Sequence, residues 1–366
     1  MITNASTSMK RIGCLGWGLR ILGGLVIVLL VLLTAGYVYQ IRTTAADFEQ
    51  FAAPGQRVDV GGYSLHILCE GEGSPTVVVD AGNGDFSLGW SLVQPKVAQF
   101  ARICTYDRAG YGWSDPGPSP RTARQIANEL HTLLVNAEIE GPYVLVGHSL
   151  GGYNVRMYTD LYPEEVVGVV LVDAGHEEQL NRLPFEYIQI TQQQNGYLSV
   201  MRLMARFGIL RLMGKSAGEQ ALPPHIGQLP EDIRDVYVTM MSHPSYFDAT
   251  LGELEELEET CNQVKEIGDL GDRPLVVLTA ENSIDTEALQ SIGLPADFPI
   301  EQIQPIWFEL QGELAALSTN SNHLIAVGSG HAIHLDRPDL VVNAIEQIVT
   351  KIDTLSPLVE YAVFLQ

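Results

Sequence analysis

Short runs of apolar, β-branched residues recur along this chain and alternate with segments of helical spacing. The strands predicted from these runs are residues 56–70 (two strands joined at Gly61-Gly62), 75–80, 101–107, 143–147, 166–173, 274–279 and 323–327. Helices are predicted at residues 122–137, 152–162 and 338–352. Short buried strands that alternate with helices are typical of βαβ units. The pattern therefore predicts an α/β fold with a mostly parallel, doubly wound sheet.

The alternation stops between about Gly175 and Ile267, where the composition is helical and rich in Met and Leu. We interpret this stretch as an insertion into one α/β domain rather than as a second core. The predicted organisation is a core of residues 55–175 and 267–352, with a helical cap at residues 176–266. Met-rich helices favour an apolar, adaptable pocket wall.

The amino terminus contains a long apolar run without charge, from Ile21 to Gln40. About 20 such residues cross a bilayer as a helix. We predict a transmembrane helix at residues 21–41 that contacts the lipid bilayer, after a cytoplasmic segment at residues 1–20. Three basic residues precede the run, and only Arg42 follows closely, so the positive-inside rule places the remainder of the chain outside the cytoplasm. A cleaved signal peptide, which would release a secreted protein, is the alternative.

The charge balance excludes some partners. The first 44 residues hold four basic and no acidic side chains, so of the 21 basic and 44 acidic residues the remainder carries 17 and 44, a net charge of −27. Such a surface repels phosphate backbones, and nucleic-acid binding is not expected. The sequence contains no metal-ligand pattern and no nucleotide-binding glycine motif, so we predict neither a cofactor nor a metal.

One motif indicates a catalytic residue. The residues from Gly147 to Gly152 read GHSLGG and lie between a predicted strand and a predicted helix. In that context the pattern G-x-S-x-G builds a tight turn that presents its serine, here Ser149, as a nucleophile. The helix that follows directs its positive end toward developing negative charge.

With this motif, the chain resembles the α/β-hydrolase superfamily over nearly all of residues 55–352. Four segments carry the resemblance in the same order and spacing, namely DAGNG (80–84), YDRAGYGWSD (106–115), GHSLGG (147–152) and SGHAIHLDRP (329–338). They are specific for the fold and much less specific for the reaction.

The resemblance implies roles for individual residues. Ser149 matches the family's nucleophile, and His331 matches its general base. The oxyanion hole would be formed by the backbone N–H groups of Leu150 and Asn83. Family members usually show His-Gly in the turn before Asn83, whereas this chain has Ala81-Gly82.

The third catalytic residue is where this chain departs from the family. The usual aspartate follows the strand PLVVLT, but Ser283 stands near its position. Three carboxylates remain candidates. Asp173 ends the strand that follows the nucleophile helix and is preferred, while Asp285 and Glu281 are alternatives. A carboxylate is needed to fix the imidazole tautomer and stabilise the imidazolium.

The expected activity is that of a membrane-anchored serine hydrolase that cleaves a neutral or hydrophobic ester through an acyl-serine intermediate. Acyltransferase and amidase activities use the same site and stay open. Haloalkane dehalogenases and epoxide hydrolases are disfavoured, because those relatives place an aspartate at the position of Ser149. A hydrolase-fold protein that binds a ligand without catalysis is the alternative of another class.

In this fold Cys69 and Cys104 fall on neighbouring strands. A cross-strand disulfide is conceivable there, but we expect two small, buried thiols instead.

Overall fold

A single sheet organises the core of the computed structural model, which describes residues 14–217, 226–284, 294 and 298–354. In these residues the sheet has eight strands, namely β1 (Gln56–Asp59), β2 (Ser64–Glu70), β3 (Thr76–Asp80), β4 (Ile103–Asp107), β5 (Tyr143–His148), β6 (Val166–Val172), β7 (Leu275–Asn282) and β8 (Ser321–Gly330). Their order is β1-β2-β4-β3-β5-β6-β7-β8. β2 is antiparallel to β1 and β4, and all other pairs are parallel. The predicted fold class is confirmed.

Both faces of the sheet are buried, which explains why the strands are continuously apolar. Leu145 points into one core layer, and its neighbours Val144 and Val146 point into the other. The helices that complete the fold are α1 (Cys14–Gln50), α2 (Gln94–Val97), α3 (Ala123–Asn136), α4 (Gly151–Leu161), α5 (Gln179–Arg182), α6 (Phe185–Arg206), α7 (Ile209–Ala217), α8 (Glu231–Met241), α9 (Pro244–Glu255), α10 (Leu257–Lys265), α11 (Ile300–Ala315), α12 (Ile333–Asp336) and α13 (Pro338–Thr354). Residues of α3 and α4 fill one layer, and residues of α2 and α13 fill the other.

The helices α5–α10 lie between β6 and β7 in the chain, within the range predicted for the cap. Their aromatic residues share a buried cluster with residues that follow β3 and β4. Phe86 stacks on Tyr237 of α8 with ring centroids 4.3 Å apart, and Tyr111 meets Tyr246 of α9 edge-on at 5.7 Å. These contacts fix the cap over the carboxyl ends of the strands.

α1 is longer than the predicted transmembrane segment. It continues past residue 41 as helix to Gln50. The segment Trp17–Gln50 is long and apolar enough to cross a membrane. Its most apolar stretch has a mean hydropathy of 2.6, and none of that stretch is buried in the protein. The last turns of α1 contact the cap, where Asp47 pairs with Arg211 and His243.

The expectation of two free thiols was wrong. Cys69 and Cys104 form a disulfide. The antiparallel register of β2 and β4 places the two residues directly opposite each other, with Cα atoms 4.0 Å apart. That register is a property of the sheet, which spacing in the sequence does not reveal. Cys261 is a buried free thiol.

Candidate active site

Ser149 occupies a strained turn between β5 and α4. Its φ of +51° lies in the left-handed region, which costs a non-glycine residue about 1–3 kcal/mol. Two glycines allow this turn, since a Cβ on Gly147 would lie 2.6 Å from the carbonyl oxygen of Gly151, and one on Gly151 would lie 2.1 Å from that of Asp80. Ser149 is half-buried and opens onto a cavity.

His331 follows β8 and is held by a buried carboxylate. Its Nδ1 lies 2.6 Å from Oδ2 of Asp173, which directly follows β6. Asp173 is fully buried, whereas 41% of the His331 side chain is exposed. The imidazole is therefore anchored on one side and open on the other. The structure thus brings together the predicted Ser149, His331 and Asp173, which come from the ends of three different strands.

The other carboxylate oxygen of Asp173 is fully engaged by the protein. Oδ1 accepts hydrogen bonds from the backbone N–H of Ala280 at 3.0 Å, from the Ser283 hydroxyl at 2.9 Å and from the Trp307 indole N–H at 2.9 Å. Ser283, the residue near the family's usual aspartate position, therefore donates to the carboxylate on the neighbouring strand. Trp307 was not predicted, because it lies 134 residues from Asp173, on α11, and belongs to no sequence motif.

Of the two alternative acids, only Glu281 lies within the described residues, and there it contacts Gly328 rather than His331. Glu281 is exposed, and its carboxylate accepts a hydrogen bond from the N–H of Gly328 at 2.8 Å. Asp285 lies outside the described residues.

Two backbone N–H groups are candidates for an oxyanion hole, one next to Ser149 in the sequence and one in a turn that contacts it in space. Leu150 caps the N-terminus of α4, and Asn83 lies in the turn after β3. A Cβ on Gly82 in that turn would lie 3.2 Å from the Ser149 Cβ, so the turn and the nucleophile are in close contact. In the described part of the chain, neither N–H donates to a protein acceptor. An oxyanion hole formed by these two N–H groups stays a prediction.

The turn that contains Asn83 is held by a buried arginine. Arg108 donates to the carbonyl oxygens of Ala81 at 2.5 Å and Gly82 at 2.8 Å. It also binds Asp80 at 2.8 Å and Glu253 of the cap helix α9 at 2.7 Å. Burial alone would lower the pKa of the guanidinium, but the two carboxylates outweigh burial and raise it.

Glu253 joins the cap to the same turn. It accepts a hydrogen bond from the Asn83 side-chain amide at 2.9 Å and another from the Tyr111 hydroxyl at 2.9 Å. Asp80 has a raised pKa because it is buried, despite the charge of Arg108. Arg108 and Glu253 therefore form a bridge from the α/β core to the cap beside the candidate oxyanion hole.

The cavity beside Ser149 has a volume of about 750 Å³. Its apolar wall comes from the cap, from the segment after β7 and from α12, and comprises Ile226, Leu229, Tyr237, Met241, Ile284 and Leu335. Its polar floor contains Ser149, His331 and the turn after β3. A cavity of this size accommodates a ligand of drug-like dimensions.

Two further histidines lie next to the catalytic candidates. His148 Nε2 is 2.9 Å from the carbonyl oxygen of His331, and His334 Nε2 is 3.3 Å from Asp85 Oδ2. The ligand atoms of Asp85, His148 and His334 lie within 4.8 Å of one another. Because each residue already contacts the protein, we interpret the cluster as a support for the cavity wall.

Comparison with known proteins supports the fold. Residues 77–344 match the Alpha/beta hydrolase family. A probable transporter of Hormonema carpetanum, efuK, is 26% identical over 312 residues, which are 80% of this chain and 42% of that protein. An uncharacterized vacuolar membrane protein of Saccharomyces cerevisiae is 32% identical over 145 residues, which are 35% of this chain and 22% of that protein.

Among solved structures, an esterase from Thermogutta terrifontis superposes with a TM-score of 0.57 at 19% identity, covering 81% of this chain and 99% of the esterase chain. At that identity the likeness concerns the fold alone. The chain spans less than half the length of the first curated relatives that it matches.

Proposed function

Because this chain belongs to the alpha/beta hydrolase family, we propose that it is a serine hydrolase that cleaves a carboxylic ester, or a related acyl bond, through an acyl-Ser149 intermediate. The observation that carries the proposal is the contact of 2.6 Å between His331 and the buried Asp173, beside a serine in a strained turn. A ligand-binding pocket requires none of these features.

In the proposed mechanism His331 takes the hydroxyl proton of Ser149 on Nε2 while the serine oxygen attacks the acyl carbon. Asp173 holds the proton on Nδ1 and stabilises the imidazolium that forms. The N–H groups of Leu150 and Asn83 donate to the oxyanion of the tetrahedral intermediate. His331 then protonates the leaving alcohol, and a water molecule activated by the same histidine releases the acid and restores Ser149.

The cavity lining favours neutral or hydrophobic esters as substrates. The cap contributes the apolar side chains of Ile226, Leu229 and Met241 to its wall, with Gln228 as a polar neighbour. One wall also adjoins α1, since Met241 lines the cavity and the next residue, Ser242, accepts a hydrogen bond from Gln40 of α1 at 3.4 Å. A substrate that partitions into a membrane would have a short route to this site.

We further propose that α1 is a retained anchor that crosses the membrane once, with its N-terminus in the cytoplasm. Its apolar window is fully exposed on the protein, and the basic residues lie mainly before it. The disulfide between Cys69 and Cys104 supports an oxidising, extracytoplasmic location of the hydrolase domain. The similarity to a yeast protein described as a vacuolar membrane protein agrees with membrane association. Release after signal cleavage is the competing arrangement.

Fluorophosphonate labelling tests the proposed chemistry. We expect the full chain, purified in detergent, to form a covalent adduct at Ser149 that mass spectrometry locates. Labelling should disappear in His331→Ala and should persist in His323→Ala, a matched histidine that hydrogen-bonds to Thr279 at 2.8 Å outside the cavity. Folded protein that is not labelled would contradict the hydrolase proposal and would favour ligand binding.

A further inference from the structure

The cap carries an apolar surface, which we name the α6–α7 face. It is formed by large hydrophobic residues that are 38–65% exposed, namely Tyr197, Val200 and Leu203 of α6 and Ile209, Leu212 and Met213 of α7. The spacing of three or four residues places each trio on one side of its helix. Apolar surface concentrated in this way marks an interaction site.

The corner between α6 and α7, which adjoins the α6–α7 face, packs directly against α1. A Cβ on Gly36 of α1 would lie 2.5 Å from the carbonyl oxygen of Phe207, and a Cβ on Gly208 would lie 2.6 Å from the Tyr39 ring. Arg211 of α7 donates to the Gln40 side chain at 3.1 Å and pairs with Asp47. The corner between α6 and α7 is thus held at residues 36–40 of α1.

This contact defines the depth of the face if α1 crosses a membrane, as proposed above. Gly36 and Tyr39 belong to the uncharged run that ends at Gln40. With a rise of 1.5 Å per residue, Gly36 lies about 9 Å before Arg42 along the helix axis. The corner is therefore level with the outer boundary of the hydrocarbon region and not above it in bulk water.

The charge of the same segment differs from that of the chain as a whole. Residues 187–218 contain four basic residues and no acidic one, in a protein with 44 acidic residues. Arg206 pairs with Asp248 at 2.9 Å, and Arg202 lies 3.7 Å from the same carboxylate. Arg211 pairs with Asp47, so the charges of all three arginines are compensated within the protein. Apolar residues flanked by basic ones are typical of helices that lie in a membrane interface.

We propose that the α6–α7 face is seated in the interfacial region of the outer leaflet and forms a second membrane contact beside α1. The occupant of this surface is the lipid bilayer itself. α1 alone would leave the domain free to tilt on a single helix, whereas the second contact holds the cap against the membrane. The proposal rests on α1 crossing the membrane, and the experiment separates the two claims.

The experiment places a fluorescent reporter at three positions of the full chain, reconstituted into vesicles of phosphatidylcholine and phosphatidylglycerol. Cys14→Ser removes one thiol, while Cys261 is buried and Cys69 and Cys104 are paired. An NBD label is attached to Met213→Cys, to Val31→Cys in α1 and to Val135→Cys on α3. Val135 is 57% exposed, close to the 54% of Met213, and is the matched control. Lipids with a shallow or a deep nitroxide quench the label according to its depth.

We expect the label at position 213 to lose roughly half of its fluorescence to the shallow nitroxide, and the label at position 135 to lose almost none. The label at position 31 should respond to the deep nitroxide. Adding Leu212→Glu should reduce the quenching at position 213, and adding Val327→Glu, at an exposed site on β8, should leave it unchanged.

An unquenched label at position 213 together with a quenched one at position 31 would overturn the proposal and leave the anchor intact. Lack of quenching at position 31 would instead contradict the transmembrane anchor. A blue-shifted but unquenched label at position 213 would show that protein, such as a second copy, covers the face, which also overturns the proposal.

Discussion

In the described part of the chain, two buried aspartates each contact the Nδ1 atom of a histidine, and the two pairs differ in what surrounds the histidine. Oδ2 of Asp107 lies 2.8 Å from Nδ1 of His66, and Oδ2 of Asp173 lies 2.6 Å from Nδ1 of His331. Both aspartates lie at or just after the carboxyl end of a parallel strand. His66 is fully buried and its Nε2 lies 3.3 Å from the N–H of Gly55, whereas 41% of the His331 side chain is exposed.

The comparison shows that an aspartate–histidine contact is not by itself a catalytic feature. Both ring nitrogens of His66 contact protein atoms, so neither is available for proton transfer. We interpret this histidine as a structural link between β2 and β4. His331 has one nitrogen held by Asp173 and one face at the cavity that Ser149 also lines. An available nitrogen next to a nucleophile is what general-base chemistry requires.

The largest effect is expected from replacing Asp173, the carboxylate that pairs with the partly exposed His331. Asp173→Asn should lower kcat/KM for a p-nitrophenyl ester about 10⁴-fold, because an amide favours the wrong imidazole tautomer. The far-ultraviolet circular dichroism should be unchanged. A loss below tenfold in folded protein would show that Asp173 does not serve as the triad acid.

Replacing Asp107, which pairs with the fully buried His66, should affect stability rather than catalytic activity. Asp107→Asn leaves His66 without its charged partner and should lower the free energy of unfolding by about 3 kcal/mol, measured by denaturant titration in detergent. The activity per folded molecule, counted by fluorophosphonate titration, should stay close to that of the wild type. A large activity loss in the folded fraction would contradict the distinction between the two pairs.

A smaller effect is expected from the residue that supports Asp173. Ser283→Ala removes one of three hydrogen bonds to Oδ1 and should lower kcat about tenfold, with KM nearly unchanged. Ser283→Thr, which keeps the hydroxyl, should restore most of the rate. Ser318→Ala is the matched control, since its buried hydroxyl donates to Arg273 and not to Asp173. Equal losses in Ser283→Ala and Ser318→Ala would argue against a positioning role.

The smallest effect concerns acid stability. Burial alone would raise the pKa of Asp107, but its interaction with His66 and the hydrogen bonds from Ser87 and Trp113 outweigh burial and lower it. The folded state therefore binds fewer protons than the unfolded state, and this stability is present above the ordinary aspartate pKa of about 3.9 and is lost as the pH falls through the folded pKa. The acid limb of the unfolding curve should be shallower in Asp107→Asn, and an unchanged slope would contradict the assignment.

The fold was predictable because its signals are local. Apolar runs with both faces buried, the helical spacing between them and the glycines around Ser149 are each encoded within a few residues. The position of His331 followed from a short segment after the last strand. Each of these features depends on the neighbouring sequence and not on distant packing.

Only the tertiary structure determined which distant residues contact each other. The sequence left three acids open, and the structure brings Asp173 to His331 across 158 residues, with Trp307 beside it. It also pairs Cys69 with Cys104, where sequence analysis preferred free thiols. Such contacts depend on strand order, register and helix packing, which add up over the whole chain. A local pattern determines which element forms, but the three-dimensional arrangement of the elements determines which side chains meet.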